Sequence, residues 1–132
     1  MLWFFRLLFM VILGSMLWVT GWASLHQPIF ATPRAIVTHP WFIATLFDAY
    51  WGFVTFYVWQ AWKERSAGAR VLWFTAVMLL GNIAMSTYVL AELFRIRESS
   101  QLTEVISRRN PGHIRLPALL VAVTVGVYLF TR

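Results

Sequence analysis

Residues 41–62 read WFIATLFDAYWGFVTFYVWQAW, an apolar and aromatic stretch interrupted by one carboxylate, Asp48. At 1.5 Å per residue a helix of this length extends about 30 Å, the thickness of a bilayer's hydrocarbon core. The segment therefore reads as a transmembrane helix carrying a single acid. Trp41, Thr45, Asp48, Gly52, Thr55, Trp59 and Trp62 recur at spacings of four and three, which places them on one stripe. A stripe of small and polar residues on an otherwise bulky helix predicts that the stripe meets other helices and the remainder meets lipid. On that reading Asp48 points inward, and an ionisable group inside a span is expensive enough to be the first candidate for a site. Thr38 or His39 is placed to cap the helix, and Pro40 suits its first position.

Composition supports the class. Hydrophobic residues make up 60% of 132, charged residues 12%, and the mean hydropathy is +0.68, more apolar surface than so short a soluble domain carries. The formal charge of +6 would suggest nucleic acid in a soluble chain. Here the basic residues flank apolar spans, so the bilayer and its anionic headgroups are the expected partners and nucleic acid is not. The absence of cysteine excludes disulfides, thiolate chemistry and Cys-ligated metals.

Four helices are expected, at about 2–25, 41–62, 71–94 and 116–131, forming a single all-α domain: an integral membrane four-helix bundle. In the first, Arg6 is close enough to the end to snorkel into the headgroups. A signal peptide cleaved after Ala23 is the competing reading. The connector 26–40 holds Pro28, Pro33 and Pro40, which resist helix. His26 and His39 lie thirteen apart in it, with no carboxylate nearby, so neither a metal nor another cofactor is expected. Residues 63–70 form a polar turn. The third helix carries Asn82 near mid-membrane and Ser86 close to the depth of Asp48, which predicts a buried polar network of Asp48, Ser86 and Asn82. Glu92 and Arg95 are one turn apart and should pair. The loop 98–115 contains a short amphipathic turn with Leu102, Val105 and Ile106, capped by Ser99 or Ser100 and lying on the membrane surface. The fourth helix is short for a span, and its small ladder Ala118, Ala122 and Gly126 favours close packing on a neighbour. With four spans the basic residues divide almost equally between the two sides. The denser short loop then favours both termini inside.

The runs Thr45-Leu46-Phe47-Asp48-Ala49-Tyr50, Val58-Trp59, Lys63-Glu64 and Gly81-Asn82-Ile83-Ala84 resemble the small membrane proteins of domain of unknown function family 1475, over roughly residues 40–97. The resemblance implies a small multi-helix membrane protein and no established activity. A lesser likeness to small membrane proteins of the lycopene-cyclase kind lacks their Pro-Glu-rich carboxylate motif.

Two functions follow. The first is a non-enzymatic, multi-pass membrane module, in the inner membrane if the source is bacterial. It would bind an apolar, lipid-like ligand or a larger membrane complex, alone or as a homo- or hetero-oligomer, through Asp48, Asn82, Ser86, Tyr50 and Trp59. The alternative is a membrane-embedded enzyme with Asp48 as general acid on an isoprenoid-like substrate, aromatic faces stabilising a developing cation. No second acid or nucleophile accompanies Asp48, which favours the first.

Overall fold

The computed structural model describes residues 1–130, and within them the chain is all-helical, without strands. α1 (Leu2–His26) is apolar over nearly its whole length and stops at Gln27, which is extended before Pro28. After the one-turn helix α2 (Arg34–Val37), α3 (Pro40–Lys63) begins with Pro40 at its first position, and the His39 side chain accepts from the Trp41 amide at 3.3 Å. α3 ends because Glu64 turns extended, and Ser66 caps α4 (Ala67–Leu80) by accepting from the Ala69 amide. Among the described residues, α1 and α3 are the two helices long and apolar enough to cross a membrane.

The expected single helix at 71–94 is instead two helices of 14 residues, α4 and α5 (Asn82–Arg95), joined at Gly81. The rings of Trp73 and Tyr88 lie 4.9 Å apart. In one straight helix fifteen residues would separate them by about 22 Å, so the chain reverses direction between them. Gly81 makes the reversal at φ +55° and ψ −120°, a conformation that L side chains rarely adopt. The ring of Phe53 closes over it: a Cβ on Gly81 would lie 2.6 Å from Phe53 Cζ.

This hairpin gives the molecule two unlike ends. At one, the Leu2 amide donates to Ser99 Oγ at 3.2 Å, the Asn110 amide to the Lys63 carbonyl at 2.6 Å, and the Arg65 amide to the Asn110 carbonyl at 3.1 Å. The N-terminus, the α3–α4 corner, the end of α5 and the segment after it therefore meet at this polar end. At the other, the connector end, Phe30 packs on Tyr128 near the end of α7 (Arg115–Phe130) with centroids 5.9 Å apart. The loop at 98–115, expected on the far side from 63–70, sits beside it. The turn of the hairpin lies between the two ends, level with Phe53.

Burial follows the hairpin. Val89, Leu93 and Ile96 pack with Leu2 of α1 and with Val105 of α6 (Leu102–Ser107), while Trp73, Ala76 and Val77 of α4 pack with Ala84 and Tyr88 of α5. Val105 is thus core rather than membrane surface, and the cap before α6 is a Glu98–Gln101 box rather than a serine. α7 meets α4 through Leu116, Leu120 and Val121. The expected ladder is not the packed face, since Ala122 is exposed and a Cβ on Gly126 would meet nothing within 4 Å.

Candidate functional site

The polar end encloses a network of ionisable side chains. Tyr88, Glu92 and Arg95 recur at spacings of four and three along α5, so they share one face. Lys63 occupies the last turn of α3 and Glu64 the extended residue after it, an abrupt helix end that lets two consecutive side chains both face inward. Asn110, held by its backbone against Lys63 and Arg65, closes the site from the opposite strand of chain.

Lys63 Nζ donates to Glu92 Oε2 at 2.9 Å and to the carbonyl of Val105. The two side chains are 0% and 4% exposed, so this is a desolvated ion pair. Glu92 Oε1 accepts from Arg95 Nη1 at 3.1 Å and from Asn110 Nδ2 at 2.7 Å, while Asn110 Oδ1 accepts from Arg95 at 3.0 Å. Glu64 Oε1 accepts from the Tyr88 hydroxyl at 3.0 Å and from Asn110 Nδ2 at 2.9 Å. Both cations thus bond Glu92, Glu64 accepts from neutral donors, and the asparagine amide links the two acids. Aromatic edges wall the site: Trp59 and Trp73 lie edge-on to Tyr88 at 5.8 and 4.9 Å, and Lys63 Nζ lies 5.3 Å from the Trp59 ring. Three buried atoms, both amide atoms of Gln60 and Glu64 Oε2, have no hydrogen-bond partner.

A second buried cation stands nearby. Arg6 does not snorkel; it reaches the end of α5, where Nη2 donates to the carbonyls of Leu93 at 3.1 Å and Ile96 at 2.8 Å. Those carbonyls have no partner further along the helix, so a guanidinium there satisfies them and complements the helix dipole. Its carbon lies 4.5 Å from the Phe94 ring.

The residues singled out from sequence do not form a site together. Asp48 is exposed on α3, five residues before Phe53, and the hairpin that would have covered it turns back at Gly81. Asn82 is exposed beside that turn. Ser86 Oγ donates within its own helix, to the Asn82 carbonyl at 2.6 Å, and makes no bond to Asp48. Tyr50 donates to the Met78 carbonyl at 3.3 Å, near the end of α4. Trp59 alone joins the polar network's wall, its indole donating to the Ile106 carbonyl at 2.9 Å. The expected Glu92–Arg95 pair is present at 3.1 Å. Lys63 and Glu64 were hidden by their resemblance to an ordinary polar turn, and Asn110 by its place in an Asn-Pro-Gly stop.

A family described as protein of unknown function (DUF1475) matches residues 3–109. The chain belongs to that family. No curated protein and no solved structure matches it. The DUF1475 match runs from α1 through α6, contains Lys63, Glu64, Tyr88, Glu92 and Arg95, and ends one residue before Asn110. Chemically, Glu92 is saturated with donors, whereas Glu64 keeps one buried oxygen, Oε2, unpartnered. Glu92 spends both oxygens on charged and amide donors, and Glu64 is 3% exposed. Among the described residues no three His, Cys, Asp or Glu side chains come together as metal ligands would.

Proposed function

We propose that this member of the family is a multi-pass integral membrane protein acting as a non-enzymatic binding module. α1, α3 and α7 cross the bilayer, and the α4–α5 hairpin enters from the polar end and returns to it. The observation that carries this reading is the outward surface of α1 and α3. Trp18 is 76% exposed, Trp41 77% and Trp51 64%, on helices of membrane length. In water a contiguous apolar face of that extent would drive association, whereas lipid satisfies it.

The hairpin stops level with Phe53, so the lengths of α1 and α3 nearer the connector end carry few covering contacts from this chain. Those lengths supply the aromatic surface for an apolar, lipid-like ligand or for a membrane-embedded partner, with Tyr50 and Trp51 on the rim of a shallow apolar hollow. Acid catalysis by Asp48 draws no support from the geometry, since no other acid or nucleophile stands beside it.

Two measurements test the reading. The protein should stay in the pellet when membranes are washed with alkaline carbonate, and release into the supernatant would refute the spans. Lipid extraction of the purified protein followed by mass spectrometry should return an apolar species enriched over the bulk membrane, and recovery of bulk lipid alone would refute the ligand.

A further inference from the structure

The reversal at Gly81 redistributes the charge of the molecule. Were residues 71–94 one span, the loops at 63–70 and 95–115 would face opposite sides and the basic residues would nearly balance. Because the chain returns, both loops meet at the polar end. Apart from Arg34 and the undescribed Arg132, every one of the eleven Lys and Arg residues lies in or beside that end. Lys63 and Arg95 pair with Glu92 within the network, and Glu64 beside it is held by Tyr88 and Asn110. What remains outside is Arg65, Arg97, Arg108, Arg109 and Arg115, all exposed, against Glu98 and Glu104.

The arginines are interleaved with apolar side chains that turn outward. Ile106 is 63% exposed, Ile114 49% and Phe94 52%, beside Arg108, Arg115 and Arg97 in the sequence. Trp62 is 48% exposed, with the Arg109 guanidinium 5.5 Å from its ring and Arg109 Nε donating to its carbonyl at 3.0 Å. What distinguishes a lipid surface from a nucleic acid or an acidic soluble protein here is the position of this mixed face at the ends of membrane-length helices. Cations alternating with Ile, Phe and Trp at the ends of membrane-length helices suit the boundary where lipid phosphates lie above acyl chains.

Resting on the membrane reading above, we infer that the polar end is a binding face for anionic phospholipid headgroups, with Arg97, Arg108 and Arg115 as its free phosphate ligands. This end therefore faces the cytoplasm, and the connector 27–39 faces the other side. The orientation follows from the same physics as the binding, because basic segments are retained on the side whose leaflet is anionic.

The cysteine-free chain allows single cysteines to report each side. In intact cells an impermeant maleimide should label Ala35→Cys, and should label Ser107→Cys only after lysis. The reverse pattern would overturn the orientation while leaving the spans in place. Labelling of both positions from outside, or of neither, would refute the single crossing by α3 between them with a returning hairpin, and the proposal would fall with it. For the headgroups, the detergent-purified protein is titrated with phosphatidylglycerol and phosphatidylcholine and read by native mass spectrometry. The variant R97Q/R108Q/R115Q should bind phosphatidylglycerol about a hundredfold more weakly, with phosphatidylcholine unchanged and weak in both. R97K/R108K/R115K keeps the charge and should keep the lipid. Undiminished phosphatidylglycerol binding in the glutamine variant, equal binding of phosphatidylcholine by the unmodified protein, or equal loss in the lysine variant would overturn the proposal. So would nucleic acid that co-purifies with the unmodified protein and disappears with the arginines.

Discussion

Replacing Gly81 by alanine separates a hairpin from a straight helix by the sign of the effect. In a continuous helix, Gly→Ala removes a flexible residue and gains up to about 1 kcal/mol. In the structure Gly81 stands at φ +55°, ψ −120°, where an L residue carries a backbone penalty of about 1–3 kcal/mol. The new Cβ would also lie 2.6 Å from Phe53 Cζ and 3.2 Å from Cε1 and Cε2, so the ring must swing out of its packing. Because that ring is the far end of a side chain, its displacement adds about 1 kcal/mol rather than an insurmountable clash. The expected loss is about 2–4 kcal/mol, a fall in melting temperature of roughly 10 °C for a chain of this size. Thermal unfolding in detergent, followed by tryptophan fluorescence and circular dichroism, reads it directly. Phe53→Ala removes the ring contact, so the double variant should lose about 1 kcal/mol less than the two single losses added together. A Gly81→Ala protein as stable as the parent, or more stable, would refute the reversal and with it the common polar end.

Lys63→Met leaves the buried Glu92 without its closest cation and should cost about 3–5 kcal/mol; combined with Glu92→Leu it should cost less than the sum, measured by denaturant midpoint. Tyr88→Phe keeps the stacking on Trp73 and Trp59 but removes the hydroxyl from Glu64 and should cost about 1–2 kcal/mol, read the same way. Asp48→Leu, at an exposed position, should change stability in detergent by no more than about 0.5 kcal/mol; a loss above about 2 kcal/mol would place the carboxylate in a buried contact.

What could be read from sequence was what depends on length and hydropathy. The expected helices at 2–25, 41–62 and 116–131 correspond to Leu2–His26, Pro40–Lys63 and Arg115–Phe130, residue 131 lying outside the described residues, and the His39–Pro40 start of α3 is as expected. The third helix failed because a run of apolar residues satisfies one long helix and two short antiparallel ones equally well. The discriminating signal was the dipeptide Gly81-Asn82, a turn former near the middle of the run. From that single residue the rest of the error follows. A straight helix there brings Ser86 close to the depth of Asp48, leaves Asn82 near mid-membrane, and puts Glu92 at the end opposite Lys63. The polar network could not be assembled from sequence, because its members lie on three separate stretches that only the reversal brings together.

The same reversal explains why a small apolar chain carries so many charges inside. Each arm of the hairpin is 14 residues, about 21 Å, shorter than the roughly 30 Å of a bilayer's hydrocarbon core. In the proposed membrane setting apolar packing would not set its depth, since lipid and helix faces are equally apolar. A polar lock does. Lys63–Glu92 fixes α5 against the end of α3, Glu64–Tyr88 fixes it one turn lower, and Asn110 ties both acids to the segment leading into α7. Sliding the hairpin by one turn, about 5.4 Å, would break every one of these bonds and leave buried charges unpaired. The network therefore specifies a register that hydrophobic contacts alone would leave open. The carboxylate outside this arrangement, Asp48, is left to whatever covers the connector half of α3.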